Sequence, residues 1–141
     1  MIEYLLDTNI CIEIIRGKNQ AIIDHLLHIP VGKVAISSIT LAELEYGVFR
    51  SQNPHKNREA LIKFCTALAI LPFDTNASQF YGSIRSYLEK QGTPIGPFDM
   101  LIAAHGLALG LIVVTNNTKE FQRVPGLQLE NWHVQSKFPP H

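Results

Sequence analysis

The stretch Ile2-Glu3-Tyr4-Leu5-Leu6-Asp7-Thr8-Asn9 decides the fold. It begins as a short, mostly apolar run with little apolar and polar alternation, and it ends abruptly in an acid, a hydroxyl and an amide. Such runs are typical of strands in a parallel sheet that helices cover on both faces. Because ligands bind beyond the carboxyl ends of parallel strands, Asp7 stands where a binding site is expected.

The rest of the chain alternates between strand and helix patterns. Residues 34–36, 69–73 and 111–114 are short apolar runs followed by polar residues, and each is predicted to be a strand. Residues 127–132 are predicted to add an edge strand. Amphipathic helical patterns lie between these runs. The sequence therefore predicts an α/β three-layer domain with a central, mostly parallel sheet flanked by helices.

Length and charge limit the classes of protein that are expected. The 141 residues fit one domain, which we expect over residues 1–134, with residues 135–141 as a frayed tail. Lys and Arg (12) balance Asp and Glu (12), so any contact with a polyanion requires a local basic patch. Cys11 and Cys65 lie in apolar helical patterns, which favours free thiols in a reducing compartment. No signal peptide or membrane span is predicted, and we expect a cytoplasmic protein.

Four acids are predicted to meet at one edge of the sheet. Asp7 follows the first strand, and Glu43 opens the helix after the second strand. Asp99 opens the helix that leads into strand 111–114, and Glu120 lies in the loop after that strand. In a parallel sheet the carboxyl ends of the strands share one edge, and a helix that returns to feed a parallel strand begins there. The four carboxylates can therefore converge.

Converging carboxylates predict a divalent cation. Like charges repel one another unless a cation lies among them, and ligands that are all oxygen favour Mg²⁺ or Mn²⁺ over Zn²⁺. Mg²⁺ in proteins is commonly shared with phosphate oxygens, so the predicted chemistry is metal-assisted attack on a phosphodiester. Hydrogen-bonding side chains near the acids are expected to orient them: Thr8, Asn9, Thr115, Asn116 and Asn117.

Each acid also has a purely structural interpretation, which for Glu120 is simply that of an acid in a polar loop. Asp7 could cap the first helix, although Thr8 or Asn9 is expected to do so. Thr40 to Glu43 matches a capping box, and Asp99 is a favourable charge in the first turn of a helix. Only the joint placement of the acids on one edge favours the metal site.

Four ordered motifs then resemble a known family. They are residues 5–9, residues 38–47, residues 95–105 and residues 114–121. Together they resemble the PIN-domain family, and within it the VapC ribonuclease toxins of VapBC type II toxin–antitoxin pairs. The resemblance implies a PIN fold and a Mg²⁺- or Mn²⁺-dependent endoribonuclease.

The resemblance also implies which residues act. Asp7, Glu43 and Asp99 match the family's three principal acids. The fourth acidic position varies among relatives, and here the choice lies between Glu120 and Asn117, an amide where many relatives carry Asp.

Partners are implied by the same resemblance. They are an RNA substrate, with initiator tRNA cut in its anticodon stem-loop, a VapB-type antitoxin whose C-terminal segment occupies the active-site groove, a homodimer, and larger hetero-oligomers with the antitoxin. Cations that could contact RNA are Arg50, Lys56, Arg58, Arg85 and Lys119. An apolar clamp for an antitoxin helix through Leu44, Val48 and Phe49 is an alternative to core packing of these three side chains.

Two rival functions remain open on the sequence. A phosphatase of the haloacid dehalogenase type also places a nucleophilic Asp after its first strand, but Asn9 occupies the site where that family expects a second Asp. A PIN-like scaffold that binds RNA or protein without cutting it is the other rival.

Overall fold

Five parallel strands form the central sheet of the computed structural model, which describes residues 1–133. They are β1 (Tyr4–Leu6), β2 (Val34–Ser37), β3 (Ala69–Leu71), β4 (Ile112–Val114) and β5 (Gln128–Glu130). Their order is β3-β2-β1-β4-β5, and every neighbouring pair is parallel. The chain builds outward from β1 to β3 and then returns to the other side of β1 with β4. The point where the strand order reverses therefore lies between β1 and β4.

Helices cover both faces of the sheet. They are α1 (Thr8–Arg16), α2 (Gln20–Leu27), α3 (Ser38–Phe49), α4 (Pro54–Cys65), α5 (Thr75–Gln91), α6 (Pro97–Leu109) and α7 (Thr118–Phe121). One core cluster joins Leu5 to α5, α6 and α7, and the other joins Leu6 to α1, α2, α3 and α4. Neighbouring strand residues point to opposite faces of the sheet. Since helices cover both faces, Leu5 and Leu6 are both fully buried. The predicted three-layer α/β class is confirmed.

Several local predictions are confirmed. Gly17, Gly92 and Gly110 end α1, α5 and α6 with φ of 67°, 70° and 67°, a left-handed conformation that favours glycine. The predicted edge strand is β5. Cys11 and Cys65 are free thiols.

The helix starts differ from the predictions. Asp7 rather than Thr8 or Asn9 caps α1, and Ser37 caps α3, which begins at Ser38. The capping box over Thr40 to Glu43 was therefore wrong, because those residues lie inside α3. β1 and β2 run directly into their helices, so the cap falls on the first polar residue at the end of each strand.

Predictions for the C-terminal part of the chain agree less closely with the structure or lie outside the described residues. The loop predicted around Glu120 contains α7. The single domain over residues 1–134 stays a prediction, and the tail over residues 135–141 lies outside the described residues. Within residues 1–133, no helix is long and apolar enough to cross a membrane.

Candidate active site at the carboxyl edge of the sheet

Asp7 lies at the reversal point between β1 and β4. Its backbone N–H donates to the Val114 carbonyl oxygen (3.0 Å), so the chain is still held to β4 where β1 ends. Its Oδ1 accepts the N–H of Ile10 (2.9 Å), which caps α1. The side chain is 2% exposed. Burial raises the pKa of Asp7, while hydrogen bonds from Thr115 and the Ile10 amide act in the opposite direction.

Glu43 is held toward the same edge by the residue that follows Asp7. Glu43 lies in the second turn of α3, and the Thr8 hydroxyl donates to its Oε1 (2.6 Å). The Thr8 hydroxyl also lies 3.3 Å from that of Thr40, which is buried. The start of α1 is thus bonded to α3, and this contact fixes Glu43 close to Asp7.

Asp99 shows that the four acids share one region. It lies in the first turn of α6, as predicted, where it is half-buried. Its pKa is raised to about 6, first by burial and then by the charges of Asp7, Glu120 and Glu43. Each of the other three carboxylates is therefore near enough to make the ionisation of Asp99 unfavourable.

Two side chains, Glu120 and Asn117, lie near Asp99 and are the candidates for the fourth acidic position of the family. Glu120, in α7, acts on Asp99 through its charge. Asn117 contacts Asp99 directly through a long hydrogen bond from Nδ2 to Oδ2 (3.5 Å), and its backbone N–H donates to Thr115 Oγ1 (2.9 Å). Asn117 therefore orients Asp99, and Glu120 adds negative charge.

The predicted supporting residues separate into two groups. Thr8, Thr115 and Asn117 each make a hydrogen bond to one of the four acids. Asn9 and Asn116 are exposed, and within residues 1–133 no hydrogen bond joins either of them to those acids. Asn116 lies instead 3.4 Å from His133, between Nδ2 and Nε2.

The donor set fits a divalent cation that keeps some of its waters. None of the ion pairs within residues 1–133 involves Asp7, Glu43, Asp99 or Glu120, so their negative charge has no Lys or Arg partner there. In the same part of the chain, no three Asp, Glu, His or Cys side chains are close enough to form a complete ligand set. Mg²⁺ is commonly held by one or two carboxylates and several waters.

Two features of the site were missed from the sequence. Thr40 was assigned to a helix cap, and it lies instead against Thr8. The imidazole of His133 contacts the Glu13 carboxylate of α1, and when protonated it lowers the pKa of Asp7. The sequence holds no signal for His133, because only the pairing of β5 with β4 brings it to this edge.

The predicted RNA-contacting cations have different surroundings. Arg58 forms an ion pair with Glu45, and Arg85 forms one with Glu89 (3.2 Å). Lys56 and Lys119 are exposed. Arg50 lines an open cavity of about 820 Å³ next to the acids, together with Thr8, Asn9 and Glu43. Arg16, which was not among the predicted cations, lines it as well. We call this cavity the acid-side groove.

Known proteins resemble this chain over nearly its full length. The family model for the PIN domain matches residues 4–127. A tRNA(fMet)-specific endonuclease VapC from Shigella flexneri is 45% identical over 132 residues, which cover 94% of this chain and 99% of the relative. A ribonuclease VapC2 from Rickettsia felis is 44% identical over 130 residues, which cover 92% of this chain and 97% of the relative.

Solved structures of VapBC complexes also resemble this chain over nearly its full length. VapBC2 from Rickettsia felis, bound to a DNA fragment from its promoter, matches with a TM-score of 0.88 and 43% identity over 94% of this chain and 99% of that chain. DNA-bound VapBC from Salmonella typhimurium matches with a TM-score of 0.89 and 42% identity over the same shares. A haloacid-dehalogenase-type phosphatase is therefore not favoured, and neither is a scaffold that does not cut RNA.

Proposed function

Because the chain belongs to the PIN-domain family, we propose that it is a divalent-metal-dependent endoribonuclease and the toxin of a VapBC-type toxin–antitoxin pair. The observation that carries this proposal is the position of four acids near the carboxyl edge of the sheet: Asp7 at the end of β1, Glu43 bonded to Thr8, Asp99 in the first turn of α6, and Glu120 in α7. Burial and the charges of the other three acids raise the pKa of Asp99 to about 6. Acids from four parts of the chain thus act on one another at the carboxyl edge of the sheet. The names of the VapC relatives support the same activity.

We further propose that the cation is Mg²⁺ or Mn²⁺. Asp7 and Asp99 would hold it, and Glu43 and Glu120 would add charge around it. When bound, such a cation neutralises charge on the phosphodiester and makes water a better nucleophile.

The chain's own residues orient the oxygens before substrate arrives. The amide of Ile10 and the hydroxyl of Thr115 bond the Asp7 carboxylate, and Thr8 bonds Glu43. Asn117 donates to Asp99 Oδ2. Acceptors that are already oriented lose little freedom on binding, which is the usual basis of efficient metal and phosphate sites. In the absence of a cation, Asp99 takes up a proton near pH 6.

The proposed substrate is initiator tRNA, cut in the anticodon stem-loop. A relative that is 45% identical is named as a tRNA(fMet)-specific endonuclease. Arg50, Lys56, Arg58, Arg85 and Lys119 remain the proposed phosphate contacts. Solved relatives named as VapBC complexes support a VapB-type antitoxin as the partner. We also propose a homodimer, larger hetero-oligomers with the antitoxin, and a cytoplasmic location.

A cleavage assay tests the activity. Purified protein is incubated with labelled initiator tRNA and Mg²⁺, and EDTA is added to a parallel sample. We expect cleavage with Mg²⁺ and none with EDTA, because the carboxylates alone repel the phosphate. Cleavage that persists in EDTA would contradict the metal mechanism, and hydrolysis of para-nitrophenyl phosphate without RNA cleavage would favour a phosphatase.

A matched pair of variants makes the assay specific to the site. Asp7 and Asp74 are both N-caps, of α1 and α5, and Asn caps a helix about as well as Asp does. We expect Asp7→Asn to lose cleavage and Asp74→Asn to retain it. Equal activity of the two variants would remove Asp7 from the active site.

A further inference from the structure

Two aromatic rings stand exposed in the acid-side groove. Tyr46 is 68% exposed and Phe98 is 50% exposed, and both line the same cavity as Thr8 and Glu43. Large aromatic side chains usually lie in the core or in an interface, where their rings contribute most to binding. Two of them beside a charged site therefore indicate a ligand that has flat apolar faces as well as charge.

Each ring is attached to an element that also carries an acid. Tyr46 follows Glu43 by about one turn on α3, and residues with this spacing are neighbours on a helix surface. Phe98 directly precedes Asp99 in the first turn of α6. The rings are thus held in a fixed relation to the carboxylates that would act on the phosphodiester.

Cations accompany the rings in the groove. The Arg50 guanidinium lies over the Tyr46 ring, 5.6 Å from its centre, and Arg50 takes part in no ion pair within residues 1–133. Arg16, in the last turn of α1, lines the same cavity. Rings and guanidinium groups together provide what single-stranded RNA requires, because bases stack on the rings while phosphates bind the cations.

Phe49 provides an internal contrast. It lies on α3 and is 75% exposed, yet it is absent from the lining of the groove. The Arg58 guanidinium, which pairs with Glu45, lies over the Phe49 ring 5.2 Å from its centre, much as Arg50 lies over Tyr46. Tyr46 and Phe98 therefore differ from Phe49 in their position in the groove and not in being exposed.

We propose that Tyr46 and Phe98 are base-stacking residues that hold unpaired nucleotides next to the scissile phosphate. This inference rests on the proposed ribonuclease function and deepens it, since it identifies the substrate as RNA whose bases are free to leave a helix. Paired bases hide their faces in the duplex, so the rings select a loop over a stem. Tyr46 and Phe98 thereby contribute to the choice of cleavage site.

Cleavage kinetics on a defined probe test the proposal. The probe is a synthetic RNA stem-loop with the sequence of an initiator-tRNA anticodon arm, cut in the presence of Mg²⁺. We expect Tyr46→Leu and Phe98→Leu each to lower kcat/KM by about ten-fold, which corresponds to the loss of one base–aromatic stack. Phe49→Leu should remain within about two-fold of the unmodified protein. Equal effects of all three variants would overturn the proposal.

Abasic probes separate stacking from a general loss of fit. Replacing a loop nucleotide next to the cleaved bond with an abasic one should lower kcat/KM for the unmodified protein. The same replacement should have little further effect on the variant whose ring it faces, because ring and base form one contact. Fully additive losses at every loop position would contradict stacking. Thermal melts of each variant show whether the protein is folded.

A fluorescence measurement distinguishes this proposal from the ribonuclease function itself. In EDTA, a probe carrying 2-aminopurine in the loop should be quenched when the unmodified protein or Phe49→Leu binds, and quenched less by Tyr46→Leu and Phe98→Leu. Cleavage without any quenching would overturn the stacking role and leave the nuclease intact. Quenching without cleavage in Mg²⁺ would overturn the nuclease and retain the stacking. Ring variants that bind RNA normally but fail to bind a VapB-type antitoxin would assign the rings to that partner and overturn the proposal.

Discussion

At the scale of single residues, Asp7 combines a structural and a chemical role in one side chain. The same carboxylate caps α1 and lies buried beside Thr115 at the reversal point of the sheet. The sequence allowed a helix cap or a metal ligand as separate interpretations. The cap uses Oδ1, and a carboxylate has a second oxygen, so one interpretation does not exclude the other.

Substitution of Asp7 separates the two roles. We expect metal-free Asp7→Asn to unfold at the same temperature as the unmodified protein or higher, because Asn keeps the cap and removes a buried charge. Asp7→Ala should be less stable than Asp7→Asn by about 1 kcal/mol, since it also removes the cap. Thermal melts in EDTA measure both. A large fall in the melting temperature of Asp7→Asn would show that the charge itself stabilises the fold.

Asp99 makes the stability of the metal-free protein depend on pH. Its folded-state pKa is about 6, above the ordinary value of 3.8, so the folded chain binds the proton more tightly. The stability that this adds is complete below about pH 3.8 and disappears as the pH rises through about 6.

Urea unfolding in EDTA at pH 5 and pH 7.5 tests this dependence against Asp99→Asn. We expect the unmodified protein to lose about 1 kcal/mol relative to the variant between the two values, after allowance for the half-exposed position of Asp99. Asp99→Asn should also be at least as stable as the unmodified protein at pH 7.5. Parallel pH profiles for the two proteins would contradict the raised pKa.

At the scale of elements, a buried hydrogen bond joins the two helices that carry Glu43 and Asp99. His105 Nδ1 of α6 lies 2.8 Å from the Oγ of Ser37, the residue that caps α3. Both side chains are buried. The link therefore ties the start of α3 to the middle of α6.

A double-mutant cycle measures this link. Ser37→Ala and His105→Leu should each destabilise the protein by about 1 to 3 kcal/mol, since each leaves a buried polar partner unsatisfied. The double variant should be more stable than the sum predicts, by about 1 kcal/mol, because the lost bond is then counted only once. Urea unfolding gives the four free energies. Strict additivity would show that the two side chains do not interact.

The packing of α6 on the sheet depends on Gly106. A Cβ at this position would lie 2.5 Å from Cγ2 of Val113, a fully buried and branched side chain that has little room to move. Gly82, in the middle of α5, has open space where its Cβ would lie.

Alanine at these two glycines should therefore have opposite effects. We expect Gly106→Ala to destabilise the protein by about 1 to 3 kcal/mol through overpacking, although Ala is the better helix former. Gly82→Ala should stabilise it by up to about 1 kcal/mol. Chemical unfolding of the two variants decides, and a Gly106→Ala protein as stable as Gly82→Ala would refute the close contact.

Helix ends could be predicted from the sequence better than helix starts. A glycine after an apolar pattern gave the ends of α1, α5 and α6, because few other residues adopt a left-handed conformation. The starts of α1 and α3 follow their strands without a linker, and a row of polar residues offers several caps at once. α7 is too short for its period to be visible in the sequence.

At the scale of the whole molecule, the order of the strands determines where the site forms. Strand patterns predict a parallel sheet and a shared edge for Asp7, Glu43, Asp99 and Glu120. They do not predict that β1 is central, with β2 on one side and β4 on the other. That arrangement brings Thr115 and Asn117 to the acids, and β5 brings His133. The shared edge was enough to predict Thr115 and Asn117 near the acids. No local property of the sequence records which strands pair, so the place of His133 became visible only in the fold.

Cation binding tests the central claim most directly. Mn²⁺ is titrated by calorimetry into metal-free protein at pH 7.5, alongside Asp7→Asn, Asp99→Asn and the cap-matched control Asp74→Asn. We predict saturable uptake by the unmodified protein and by Asp74→Asn, and none by the two site variants. Absence of saturable uptake by the unmodified protein, or equal uptake by Asp7→Asn, would contradict the account.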